Sequence, residues 1–335
     1  MIQADLIVEG AAELLTVAGN ASGPRRGTEM RDLGILRRGS LAARRGKIVW
    51  IGPTGDLLTA IRPLAFCKVI DAYGKTVMPG LVDPHTHLVF AGSRENEFAL
   101  RIQGKTYQEI AAGGGGINAT VAATRAASKA DLTSSARRTL DTMLALGTTT
   151  VEAKSGYGLD LVNEIKMLEV IRALEETGPM TLVPTFMGAH EVPPEFRQNP
   201  EAYVDLVITR MIPMVASRKL ARFCDVFCET DVFSVAQTER ILQAAQAVGL
   251  ELRVHADELT DLGGAALAAR MKARTADHLL FANDDGVRAM AEAGVIAVLL
   301  PGTAYFLHMQ RYARARDMIE AGVAVALVLV MSIAT

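Results

Sequence analysis

The chain contains little cysteine, with only Cys67, Cys224 and Cys228 among its 335 residues. Three thiols cannot form the disulfide framework that stabilises small secreted domains, and they suit a reducing compartment. The N-terminal residues also lack the basic and apolar regions of a secretion signal. We therefore expect a cytoplasmic protein. Cys224 and Cys228, four residues apart on one strand face, are interpreted as core thiols rather than as a zinc pair.

Long apolar runs and an excess of charge of either sign are also lacking. The most apolar segment, residues 323–331, is about half the length needed to span a bilayer, so we expect no membrane association. The formal net charge is only −2, which argues against a dedicated nucleic-acid surface. Half of the residues are hydrophobic, which is enough for a sizeable core.

Histidine is scarce too, but its distribution is informative. His85 and His87 follow an apolar run and lie two residues apart, so on a strand both can face one metal ion. His255 follows a second strand-like segment, and His190 and His278 lie near the ends of two others. Singly, such histidines are more often structural. Together, at the ends of separate strands, they occupy the positions where a (β/α)8 barrel places its catalytic residues.

The remaining pattern agrees with such a barrel. Residues 1–70 contain short alternating segments separated by turns, which predict a small β unit. Residues 71–335 alternate between strand and helix, which predicts an α/β fold with a TIM-type barrel of about 250 residues. Helices are predicted over residues 130–146, 163–177, 235–248, 284–293 and 312–321. Strands are predicted to end near His87, Ser155, His190, Glu229, His255, Leu280 and Pro301, with an eighth within residues 323–330.

Several separated motifs resemble one known family. Residues 80–87 together with His255, Glu258 and His278 resemble the amidohydrolase superfamily, in the mononuclear subgroup that includes cytosine deaminase. More narrowly, the chain is similar to the imidazolonepropionase family of histidine degradation. The segments that carry this narrower resemblance are residues 87–98, 154–159, 188–190 and 301–305.

The resemblance implies a fold and a reaction. The fold would be an amidohydrolase barrel with a small β-sandwich assembled from both ends of the chain, and a homodimer is possible. The reaction would be the hydrolytic opening of 4-imidazolone-5-propanoate, a small carboxylate substrate, to N-formimidoyl-L-glutamate. The cofactor would be one divalent ion, zinc or iron, because three imidazoles suit either.

The resemblance also implies roles for individual residues. His85, His87 and His255 would bind the metal, which acidifies a water molecule for attack on the ring carbonyl. Glu258 would transfer protons and His278 would stabilise the developing oxyanion, so both would be catalytic. The substrate-binding residues would be Arg94, for the propanoate, with Tyr107, Tyr157 and His190.

The chain departs from the family at its last strand. The family places a metal-binding Asp there, whereas this sequence has no carboxylate after Glu320. We expect the C-terminal part of the barrel to be incomplete. Two explanations remain: a truncated copy or fragment, or a variant that completes its metal shell otherwise. Two other functions also stay open: another amidohydrolase acting on a cyclic amide or amidine, such as a heterocycle deaminase, or a catalytically inactive fragment.

Overall fold

The structure is a computed structural model that describes residues 1–19, 23–105, 109 and 115–328. The chain divides into two compact units, Met1–Gly80 and Leu81–Thr335. The boundary near residue 70 stays a prediction. None of the helices in the described part of the chain is both long and apolar enough to cross a membrane.

The first unit contains one mixed β-sheet. Its strands are β1 (Ile2–Leu15), β2 (Ile35–Arg44), β3 (Lys47–Pro53), β4 (Ile61–Asp71) and β5 (Thr76–Val77), in the order β3-β2-β1-β4, with β5 also pairing with β1. β1 pairs antiparallel with β2 and parallel with β4. One face packs a small core around Ile7, Leu57 and Ile61. The sandwich that the family resemblance implies stays a prediction.

The second unit is built on eight parallel strands that follow one another in chain order. The last strand approaches the first, which gives a nearly closed barrel. The predicted (β/α)8 class is therefore confirmed, and the first seven strands end within two residues of the predicted positions. The strands are β6 (Leu81–Thr86), β7 (Thr148–Lys154), β8 (Thr181–Ala189), β9 (Phe223–Cys228), β10 (Glu251–Ala256), β11 (Thr275–His278), β12 (Ile296–Leu299) and β13 (Val325–Leu327).

Helices connect these strands. Four of the five predicted helices begin and end within two residues of the predicted bounds, but the fifth begins at Ala315 rather than at residue 312. Just before it, the Arg314 guanidinium donates to the Ala282 carbonyl and pairs with Asp284, so tertiary contacts replace the first helical turn. In the described part of this unit the α-helices are Glu95–Ile102, Ile117–Ala126, Lys129–Ala145, Leu161–Thr177, Pro200–Leu206, Ile212–Ser217, Val235–Ala247, Gly264–Arg270, Asp284–Ala293, Pro301–Phe306 and Ala315–Glu320.

Local signals explain why these elements form. Most residues of the barrel strands are buried, as in parallel strands covered by helices, and some strands, such as β12, appear in the sequence as apolar runs. Ser128 and Ser234 begin their helices with capping boxes, and the Asn283 side chain accepts from the Gly286 N–H at the start of another. The resulting register brings the C-terminal ends of all eight strands to one end of the barrel.

Candidate metal centre and active site

Five histidines converge at this end of the barrel. His85 lies on β6 and His255 on β10, His278 ends β11, and His87 and His190 directly follow β6 and β8. The ring centroids of His85 and His255 are 4.5 Å apart, and those of His255 and His278 are 5.0 Å apart. The rings of His87 and His190 stack at 4.7 Å. The Nε2 atoms of His87 and His255 are 3.3 Å apart.

Donor atoms of three of the five histidines fit a metal ion, and this set contains His278 rather than the predicted ligand His87. One ligand atom from each of His85, His255 and His278 lies within 4.8 Å of the other two, and all three residues are buried. Burial is the main cause that lowers the pKa of each of the three, to about 4 for His278. The imidazoles are therefore neutral, as metal ligands must be. Neither ring nitrogen of His278 makes a hydrogen bond within the described residues, and neither does Nδ1 of His87.

Two buried aspartates orient the cluster from below. Asp277 Oδ2 is 2.6 Å from Nδ1 of His85, and Asp225 Oδ1 is 3.1 Å from Nδ1 of His255. Carboxylates that accept from one ring nitrogen are the usual outer partners of metal-binding histidines, since they leave the other nitrogen free for the ion. Although burial raises the pKa of Asp277, Arg253 and Lys154 more than offset this and hold it below its usual value.

These aspartates belong to a buried ionic network that was not predicted from the sequence. Its members lie on the strands beneath the imidazoles, and the signal for them was present, because each is a charged residue within or at the end of a barrel strand. Arg253 connects the network to β6, because its Nη2 donates both to Asp277 and to the Pro84 carbonyl. The other members are Glu152, Lys154 and Asp225.

Glu258 lies beside the cluster. Its Oε1 is 3.3 Å from Nδ1 of His278, within ion-pair range but without hydrogen-bond geometry. Burial, with a smaller contribution from the charge of Glu229, raises the pKa of Glu258 to about 8. The loop that carries it is tied down on both sides. Asp257 accepts from the Gly264 and Ala265 N–H groups, and Glu229 accepts from the Leu259 N–H.

Two of the residues that the resemblance assigns to the substrate, Tyr157 and His190, lie beside the His87 ring. Tyr157 is buried, with its ring 5.3 Å from that of His190 and 5.5 Å from that of His87. His190 donates through Nδ1 to the Gly156 carbonyl. Burial lowers the pKa of His190 to about 4, and the nearby charge of Arg94 acts in the same direction. Tyr107 lies outside the described residues.

Glu164 organises the loop that presents Tyr157. This buried side chain accepts, through Oε1, from the N–H groups of Gly156, Gly158 and Leu159 at 2.8–3.2 Å. Burial raises its pKa, although these hydrogen bonds oppose the shift. Gly158 must be glycine here, because a Cβ atom would lie 2.4 Å from the Glu164 backbone nitrogen. Glu164 was not predicted as a functional residue, because in the sequence it is one acidic residue within an ordinary helix.

We expect Glu164→Ala to lower the free energy of unfolding by about 3 kcal/mol or more, because three buried N–H groups lose their acceptor. Glu164→Gln keeps an acceptor oxygen and should cost much less. The measurement is the midpoint of thermal unfolding of the two variants. Equal midpoints for Ala and Gln would show that the loop does not depend on this acceptor.

The last strand leaves an apolar space beside His278. A cavity of about 80 Å³ is lined by this histidine and otherwise mainly by apolar side chains, Leu327 of β13 among them. The described end of β13 contributes no carboxylate, and residues 329–335 lie outside the described part of the chain. The two explanations for the missing Asp therefore both stay open.

Comparison with known proteins gives a consistent family. A model of the amidohydrolase family matches residues 76–328. An imidazolonepropionase of Symbiobacterium thermophilum is 57% identical over 324 residues, which cover 96% of this chain and 76% of the relative. An imidazolonepropionase of Geobacillus kaustophilus is 54% identical over 323 residues with the same coverage of both chains.

Solved structures agree on the fold. A triazine hydrolase variant superposes with a TM-score of 0.67 at 16% identity, covering 96% of this chain and 70% of that one. An adenosine deaminase from Xanthomonas campestris, solved with bound zinc, gives 0.63 at 16% identity over 97% of this chain and 69% of that one. The family model and the identity to the two curated relatives show one family, and the barrel with its converging imidazoles agrees. This chain therefore belongs to the amidohydrolase family, among the imidazolonepropionases.

Proposed function

We propose that the chain catalyses the reaction for which its relatives are named, the hydrolytic ring opening of 4-imidazolone-5-propanoate to N-formimidoyl-L-glutamate. The observation that carries the proposal is a cluster of buried, neutral imidazoles with a carboxyl of raised pKa beside it. Such a pairing supplies a metal site and a proton carrier within one pocket. Metal-assisted hydrolysis of a cyclic amide uses the metal to activate water and the carboxyl group to transfer the proton.

The metal ligands in this proposal are His85, His87 and His255, with one divalent zinc or iron ion. The ion would lower the pKa of a water molecule and polarise the ring carbonyl. The 3.3 Å separation of the His87 and His255 Nε2 atoms supports a shared ion, because two nitrogen ligands of one tetrahedral zinc ion lie about this far apart. His278 lies close enough to both His85 and His255 for its ring to face the same space.

Proton transfer is assigned to Glu258. It takes a proton from the attacking water and returns it to the ring nitrogen that leaves when the carbon–nitrogen bond breaks. A pKa of about 8 suits both steps, because the carboxyl group can gain and lose a proton near neutral pH. His278, next to Glu258, stabilises the negative charge that develops on the carbonyl oxygen.

Substrate recognition is assigned to the side of the pocket near Tyr157 and His190. Arg94 is proposed to bind the propanoate through two parallel hydrogen bonds, which a guanidinium forms better than an ammonium. Its charge acts on His190, which supports a place near this side of the pocket. Tyr107 is retained as a fourth substrate residue from the family resemblance.

The experiment that tests the substrate is Arg94→Ala. Loss of a charged partner should lower kcat/KM for the propanoate substrate by roughly 100-fold, mainly through KM. Arg218→Ala, at an exposed arginine paired with Glu169, is the matched control and should leave both constants unchanged. Unchanged turnover in the Arg94 variant would mean that the substrate is a different cyclic amide or amidine.

The alternative functions have distinct outcomes in the same assays. A heterocycle deaminase would release ammonia from an amino-substituted ring and would not depend on Arg94. A catalytically inactive fragment would fold but hydrolyse neither kind of substrate. We further propose a cytoplasmic location, which the three free thiols support, and a homodimer, which only the family resemblance supports.

A further inference from the structure

Lys154 occupies the centre of the buried ionic network. It is the last residue of β7, and its side chain is fully buried. Its Nζ lies 2.7 Å from Asp225 Oδ2, 2.9 Å from Glu152 Oε1 and 3.8 Å from Asp277 Oδ2. A buried ammonium is stable only among such partners. One cation on the second barrel strand thus connects carboxylates from the fourth and sixth strands.

Each of the two aspartates is hydrogen-bonded to one histidine. Asp225 uses its other oxygen, Oδ1, to accept from both Nδ1 and the backbone N–H of His255, each at 3.1 Å. Asp277 accepts from Nδ1 of His85 at 2.6 Å. An ionised carboxylate can only accept, so each Nδ1 carries the proton and each Nε2 keeps its lone pair. That lone pair is what a metal ion needs.

We propose that Lys154 is a positioning residue for the metal site, which fixes Asp225 and Asp277 so that these in turn fix the imidazoles of His255 and His85. The inference rests on the proposed function, because it takes these two histidines as metal ligands. Lys154 acts through the aspartates and has no part in the transfer of protons. Its contribution is to fix the distance and the relative orientation of the two ligand rings, which lie on separate strands.

The two aspartates do not depend on Lys154 equally. Arg253 Nη2 is 2.8 Å from Asp277, but the nearest approach of the Arg253 side chain to Asp225 is 4.0 Å. Without Lys154, Asp277 would still have a hydrogen-bonded cation, whereas Asp225 would have none at that distance. The loss of the lysine should therefore release His255 more than His85.

The test is Lys154→Met, which keeps the length of the side chain and removes the charge. The probe is zinc alone, with its dissociation constant measured by competition with a chromophoric chelator. We expect binding weaker by roughly 10- to 100-fold, as for other outer partners of metal ligands. Lys166→Met is the matched control. Lys166 donates to three carbonyls, those of Thr124, Arg125 and Ala127, so its loss should lower the unfolding midpoint without changing zinc affinity.

If the Lys154→Met protein fails to fold, Asp225→Asn and Asp277→Asn still test the inference. Each preserves volume, and we expect zinc affinity to fall in both. In the Asp225→Asn background, Lys154→Met should weaken zinc binding by a smaller factor than in the native chain, because both substitutions break the same connection. Cobalt bound in place of zinc gives an absorption spectrum that should change in the same variants and not in Lys166→Met.

Unchanged zinc affinity in a folded Lys154→Met protein would overturn the inference. If that protein does not fold, unchanged affinity in both Asn variants would overturn it instead. A native chain that binds no zinc would overturn it as well. A native chain that binds zinc but does not hydrolyse the imidazolone would contradict the proposed function alone, since the affinities of the variants would still decide the role of Lys154.

Discussion

Glu258→Gln is expected to lower kcat by about 1000-fold, within the range that general acid–base groups contribute. The amide cannot take a proton from water, but it preserves the volume of the buried site. Metal content should not change, because Glu258 is not among the proposed ligands. Steady-state kinetics together with elemental analysis of the same preparation provide the measurement.

The pH dependence gives an independent check of the same prediction. The base must be ionised to accept a proton, and the pKa of Glu258 is raised to about 8. In the native chain kcat/KM should therefore rise with pH up to about 8 and level off above it. The residual activity of the Gln variant should lack this rise.

The control for this prediction is Glu239→Gln. Glu239 pairs with Arg270 on the surface, so its substitution should leave both kcat and the pH profile as they are. If Glu258→Gln retained kcat within about twofold of the native value, another group would have to transfer the proton.

Removal of the metal is expected to have the second large effect. Dialysis against a strong chelator should abolish detectable hydrolysis, and added zinc or iron should restore it. Because a bound ligand stabilises the folded state by mass action, zinc at about 1000 times its dissociation constant should add about 4 kcal/mol to the free energy of unfolding. The shift in the unfolding midpoint measures this without any assay of turnover.

His255→Ala tests the ligand set directly. Loss of outer partners already costs 10- to 100-fold in metal affinity, so loss of a ligand should cost at least about 100-fold. His308→Ala, at an exposed histidine, is the matched control and should bind zinc like the native chain. Equal affinity in both variants would exclude His255 from the metal shell.

The metal content of the native chain decides between the two explanations for the missing Asp. About one ion per chain would favour a variant that completes its metal shell without the Asp, and no bound metal would favour an inactive remnant.

The strands of the barrel were predictable because their physics is local. A parallel strand covered by helices on its outer face is a short apolar run, and the polar or glycine-rich loops that follow mark its end. The convergence of histidines followed from one topological rule, that all strand C-termini lie at one end of the barrel. Their roles as ligands or catalytic groups stay predictions.

The partners of those histidines were not predictable, because they depend on which strands face each other across the barrel. Nothing in the sequence connects Lys154 with Asp225, 71 residues away, or Asp277 with His85, 192 residues away. The same holds for Glu164, whose helix position gives no sign that three loop N–H groups bind it. Charged residues inside predicted strands were the available signal, but this signal does not identify the partner of each charge.

The distribution of histidines has a consequence for spectroscopy. Of the six histidines in the chain, five line one pocket and the sixth, His308, is exposed. An isotope label confined to imidazole nitrogens would therefore give a spectrum composed almost entirely of signals from the centre of the barrel. Tautomer, ligation and ring contacts could then be followed one ring at a time, with His308 as an internal solvent reference and without interference from the remaining residues.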